Sequence, residues 1–72
     1  MKKVYELEDL DCAHCAAKMQ EAVSKIDGVT SVTVNFLSQK MTLEADDDRF
    51  DDILKLAIKE IKKVEPDCTV VV

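Results

Sequence analysis

Aromatic side chains are scarce in this sequence, which has no tryptophan, one tyrosine and two phenylalanines in 72 residues. No stacking platform for nucleic-acid bases is available, and aliphatic side chains with alanine must build the core. One glycine and one proline exclude collagen-like and low-complexity disordered chains. Positive charge is also short, because ten basic residues against fifteen acidic ones leave a formal net charge of −5. That is the wrong sign for a surface that displaces counterions from a phosphate backbone, so no nucleic-acid partner is expected. No apolar stretch approaches the ~20 residues of a membrane span. The opening Met1-Lys2-Lys3 runs into Val4-Tyr5-Glu6-Leu7-Glu8-Asp9, which has no signal-peptide core. The segment is expected to be cytoplasmic and not to enter the membrane.

What is present is a globular balance, 47% hydrophobic and 35% charged. Residues 1–72 read as one small domain with one core, which excludes multi-domain enzymes. No nucleophile with a base and an orienting partner is apparent, and no glycine loop cradles a phosphate, so the chain by itself is not expected to be an enzyme.

The hydrophobic pattern gives the element order. Lys3 to Leu10 alternates in part, with Tyr5 and Leu7 on one face and Glu6 and Glu8 on the other, and predicts a strand. From Cys15 to Ile26 the apolar positions Ala16, Met19, Ala22, Val23 and Ile26 recur by threes and fours, which predicts an amphipathic helix. Gly28 is read as its left-handed cap. Val32, Val34 and Phe36 alternate with polar residues, Leu37-Ser38-Gln39 turns, and Lys40 to Ala45 alternates again, which predicts a hairpin.

Asp46, Asp47 and Asp48 then lead into a helix with the stripe Phe50, Ile53, Leu54, Ala57, Ile58, Ile61 and Val64. Acidic residues at its start and Lys62 and Lys63 at its end suit the helix dipole. The acidic cluster is therefore read as a solvated, well-capped helix start. Pro66 ends the helix, and Cys68 to Val72 form a last strand. The order βαββαβ predicts an α+β, ferredoxin-like sandwich, a four-stranded antiparallel sheet with two helices on one face. A chain ending at that strand fits a complete small protein or a domain cut from a longer one.

Three cysteines, two of them in a Cys-x-x-Cys pair, argue against a secreted disulfide framework and for metal or redox chemistry in a reducing compartment. Cys12 is placed in the loop after the first strand and Cys15 in the first turn of the helix. Unpaired amides there favour thiolates and lower their pKa. The two-residue spacing lets both sulfurs converge on one soft ion. Thiol redox chemistry uses the same spacing, but 72 residues are too few for a thioredoxin fold, and Ala13-His14 is not the usual Gly-Pro.

The run Leu10-Asp11-Cys12-Ala13-His14-Cys15-Ala16, the helix end Ile26-Asp27-Gly28-Val29 and the strand Val32-Thr33-Val34-Asn35-Phe36 together resemble the heavy-metal-associated domain. This is the small module of metallochaperones and of the cytosolic tails of metal-transporting P-type ATPases. The resemblance covers nearly the whole chain. It implies that Cys12 and Cys15 bind the ion on an exposed loop and pass it on by ligand exchange, with no catalysis in the module.

Two departures from the copper-binding members bear on the metal. Those members typically carry Gly-Met-Thr or Gly-Met-Ser before the first cysteine, where this chain has Asp9-Leu10-Asp11. Leu10 is expected to take over the packing of that methionine. Asp11 is a hard oxygen donor that suits a dication wanting three or four ligands more than linear copper(I). Members resembling zinc, cadmium and lead exporters carry Asp-Cys here. The other reading of Asp11, an N-cap acceptor for helix amides, is compatible with ligation. Glu65-Pro66-Asp67 also replaces the Gly-Tyr or Gly-Phe of copper domains, which removes an aromatic cover.

Glu65 and Asp67 are read as solvated loop charge, His14 as a solvent-facing residue, Cys68 as a small buried one, and Met19 and Met41 as core. The metal set is thus Cys12, Cys15 and Asp11, for zinc(II), cadmium(II) or lead(II), with copper(I) second. The expected role is the N-terminal domain of a heavy-metal P-type ATPase. A free-standing copper chaperone is the alternative and a mercury-binding module a third. The expected partners are the metal ion and either other domains of the parent transporter or a metallochaperone.

Overall fold

The computed structural model describes residues 1–71, so the expectation of a strand continuing to Val72 lies outside the described residues. The elements are β1 (Lys2–Glu8), α1 (Ala13–Ser24), β2 (Val29–Asn35), β3 (Lys40–Ala45), a 3₁₀ turn (Asp47–Arg49), α2 (Phe50–Val64) and β4 (Thr69–Val71). The sheet order is β2-β3-β1-β4 and every neighbouring pair is antiparallel. This is the ferredoxin-like arrangement expected from the sequence.

Alternation assigns the faces of the sheet. Leu7, Val32, Val34, Met41, Leu43 and Val70 point to the helix side and are buried there. Lys2 stands opposite Glu44, and Glu6 opposite Lys40, on the solvent face, where opposite charges on paired strands support the register. The helices close the core with Ala16, Met19 and Val23 from α1 and Phe50, Ile53, Ala57 and Ile61 from α2. Met19 and Met41 are fully buried, as expected of core residues. Leu10 is 3% exposed and joins the same cluster, which bears out its expected packing role.

Several boundaries move for local reasons. β1 stops at Glu8 rather than Leu10 because Asp9 turns the chain with a φ of 62°. β2 starts at Val29, before the alternating run, because a register shift between Val29 and Ser31 breaks the period there. α1 begins two residues earlier than expected and ends at Ser24, where the Lys25 and Ile26 amides bond back three residues to Ala22 and Val23.

Gly28 consequently lies beyond the helix cap, in the turn that leads into β2. It keeps the left-handed backbone expected of it, with a φ of 98°. The acidic cluster is also arranged differently. Neither Asp46 nor Arg49 makes a side-chain cap hydrogen bond, and Asp47 and Asp48 fall in the 3₁₀ turn. Asp51 and Asp52 supply the charge in the first turn of α2.

A Cβ added at Gly28 would sit 2.6 Å from Ile53 Cδ1, a side chain that is itself fully buried. Strained backbone and crowding act in the same direction. Gly28→Ala is expected to lower stability by more than about 1 kcal/mol in urea unfolding, with the slope of the transition unchanged.

Candidate metal centre

The loop between β1 and α1 begins where Asp9 adopts a left-handed conformation, which aspartate tolerates better than most residues. Leu10 then drops into the core, and its backbone N–H and C=O are both engaged by the side-chain amide of Gln39. Cys12 follows as the N-cap of α1, extended at φ −131° and ψ 118°. Its sulfur accepts the Cys15 N–H at 3.3 Å, and its carbonyl accepts the Ala16 N–H at 3.0 Å. The capping position is thus filled by a thiol, where serine, aspartate or asparagine would be usual. Asp11 is not the cap acceptor: it precedes the cap and is exposed.

Both cysteines are half-buried and free. The helix terminus does not lower both thiols, as expected from the sequence, but separates them. Cys12 is pulled below the usual thiol range, first by a hydrogen bond from the Cys15 side chain and then by the backbone N–H groups of Cys15 and His14. Cys15 is pushed up to about 11, first by that same hydrogen bond to Cys12, then by partial burial and the negative charges of Cys12 and Glu65. The two thiols are therefore inequivalent, and ionisation is easier at Cys12 than at Cys15. A cation held between two such thiols would relieve this repulsion and displace their protons.

Of the residues around the pair, Glu65 is the one that sequence reasoning set aside. The Cys15 thiol lies 3.8 Å from Glu65 Oε2, and the Glu65 charge opposes ionisation of both Cys12 and Cys15. Glu65 caps α2 in an extended conformation, and its other carboxylate oxygen accepts the Asp67 N–H at 3.4 Å. The available signal was Pro66, which forces an extended Glu65 just where the loop passes the metal site. Asp67 is exposed, as is His14.

Cys68 is fully buried, and burial pushes its thiol up; Lys62 works against the rise, while Glu65, Asp9 and Asp11 add to it. It therefore sits beneath the loop as a core residue. Among the described residues, no three His, Cys, Asp or Glu side chains already converge as a metal-holding group. Cys12, Cys15 and Glu65 stand close, and the structure does not bring the exposed Asp11 into contact with them.

The split between the thiols has a direct chemical readout. With limiting iodoacetamide at pH 8, Cys12 is expected to alkylate at least about tenfold faster than Cys15, because the thiolate is the nucleophile. Cys68 is expected to react only after unfolding. Peptide mapping by mass spectrometry checks the order.

The family model for the heavy-metal-associated domain matches residues 4–67. A cadmium, zinc and cobalt-transporting ATPase of Bacillus subtilis (strain 168) is 33% identical over 70 residues, which cover 97% of this chain and 10% of the ATPase. The copper chaperone CopZ of Staphylococcus aureus (strain Newman) is 30% identical over 61 residues, 85% of this chain and 81% of the chaperone. The solved structure of a CopZ metallochaperone superposes with a TM-score of 0.78 at 25% identity, covering 99% of this chain and all of that one. This chain thus spans about a tenth of the transport ATPase and most of the chaperone. Sequence and fold agree, and the chain belongs to the heavy-metal-associated domain family.

Proposed function

We propose that this domain binds a soft divalent ion, zinc(II), cadmium(II) or lead(II), through Cys12 and Cys15. Its role is that of the cytosolic N-terminal metal-receiving domain of a heavy-metal P-type ATPase. The observation that carries the choice of metal is the Glu65 carboxylate beside the Cys15 thiol. Two thiolates already overcompensate a monovalent copper ion, which is satisfied by two soft ligands. A dication is neutralised by the same pair and still wants one or two further donors, which carboxylates supply. Asp11, exposed and adjacent in sequence to Cys12, is proposed as a further donor.

The exposed loop leaves coordination positions open, so the ion passes to a partner domain by exchange of thiolates. Any ATP hydrolysis belongs to other domains of the parent chain. No helix among the described residues is long and apolar enough to cross a membrane. The second reading, a free-standing copper(I) chaperone, is supported by the likeness to CopZ over most of that protein's length. A reading frame that continues past Val72 into membrane-spanning segments would decide for the transporter.

Metal preference is tested by titrating the reduced protein with cadmium(II) and copper(I) in competition with chelators. Glu65→Ala and Asp11→Ala are each expected to lower cadmium(II) affinity at least about tenfold, with copper(I) affinity nearly unchanged. Unchanged cadmium(II) affinity in both variants would remove the carboxylates from the site and favour the copper reading. Changing Cys12 and Cys15 together to serine is expected to abolish binding of either ion. The circular dichroism spectrum should be retained, because serine caps a helix well and neither sulfur belongs to the core.

A further inference from the structure

The turn between β2 and β3 contributes a side chain to the metal loop that the ligand chemistry does not use. Gln39 has a left-handed backbone, with a φ of 56°. Its carbonyl accepts the Leu7 N–H at 2.8 Å, which extends the β1–β3 ladder one step past the Glu6 and Lys40 pair. Beyond that step β3 has no backbone to offer, and the side chain takes over. Gln39 Oε1 accepts the Leu10 N–H at 3.2 Å, while Nε2 donates to the Leu10 carbonyl at 2.7 Å and to the Phe36 carbonyl at 2.8 Å.

A primary amide offers an acceptor and two donors, so its oxygen and one N–H stand in for a peptide group opposite Leu10 while the other N–H goes to Phe36. Among the described residues, it is the one side chain that hydrogen-bonds to the backbone of the segment Asp9–Cys12. That segment is consequently fastened at two points. Leu10 is held by Gln39 and by burial, and Cys12 is held by the helix cap. Asp11 lies between them.

We propose that Gln39 is a positioning residue for metal binding. Through the Leu10 backbone it fixes where Asp11 and Cys12 lie before an ion arrives, so the ordering of the loop is completed on folding rather than on binding. The proposal rests on the reading of Cys12 and Cys15 as ligands. Gln39 itself does not touch the ion.

Two variants and a control separate positioning from general support of the fold. Gln39→Asn keeps an amide and a residue tolerant of the left-handed backbone but is one methylene too short to reach Leu10. Gln39→Ala removes the amide. Gln20→Ala is the control, because Gln20 also braces backbone through its amide, accepting the Val34 N–H at 2.9 Å on the edge strand β2. The reduced proteins are titrated with cadmium(II) against a chromophoric chelator well below their unfolding temperatures. Exchange of the Leu10 amide proton is followed by NMR in the metal-free state.

Both Gln39 variants are expected to lose about tenfold in cadmium(II) affinity and to exchange the Leu10 proton faster, while Gln20→Ala keeps wild-type affinity whatever its thermal stability. Wild-type affinity in the Gln39 variants, or an equal loss in Gln20→Ala, overturns the proposal. If wild-type protein takes up no cadmium(II), or still takes it up after both cysteines become serine, the ligand reading has failed and the role of Gln39 falls with it.

Discussion

The Cys15 amide donates to the Cys12 sulfur, and the rest of the site depends on that bond. It closes the first turn of α1, a task usually given to a small oxygen-bearing side chain, and it favours the anionic form of Cys12. Once Cys12 carries charge, a second anion at Cys15 is opposed by Cys12 itself and by Glu65. Negative charge thus gathers at a point where a cation relieves it and a proton relieves it only in part. The proposed choice of a thiophilic dication rests on these two features, the sulfur pair and the carboxylate beside it.

The scaffold carries this strained electrostatics without drawing on it for stability. The buried cluster includes Leu7, Met19, Val23, Met41, Leu43, Ile53 and Ile61, and neither Cys12 nor Cys15 belongs to it. Leu10 is the link, a core residue two positions before Cys12. The arrangement differs from a closed structural zinc site, in which metal binding and folding are one event. Here the helices and sheet build the core, and the two cysteines lie half-buried outside it.

Most of the architecture was legible because the core is written in short-range periods. Threes and fours mark Ala16, Met19 and Val23 on α1 and Phe50, Ile53, Ala57 and Ile61 on α2, and alternation marks β3. The misplaced boundaries fall where local geometry departs from a period: the bulge that hides the start of β2, and the left-handed Asp9 that ends β1. Asp11 as a helix cap failed for a related reason. One residue of uncertainty in the helix start decided which side chain met the amides, and a thiol was not an expected acceptor.

The amino-acid sequence by itself determined the order of elements, the placement of Cys12 and Cys15 at a helix start, and the kind of ion two such sulfurs can hold. These depend on residue types a few positions apart, which interact in any chain that adopts the local conformation. Tertiary structure alone decided that Glu65 stands beside Cys15, 50 residues away, and that Gln39 holds Leu10 across 29 residues. Both contacts exist only because the sheet order brings the β2–β3 turn, and the packing of α2 brings the α2–β4 turn, to the same end of the molecule as the metal loop. No spacing along the chain encodes such a meeting, since it is set by how the elements pack.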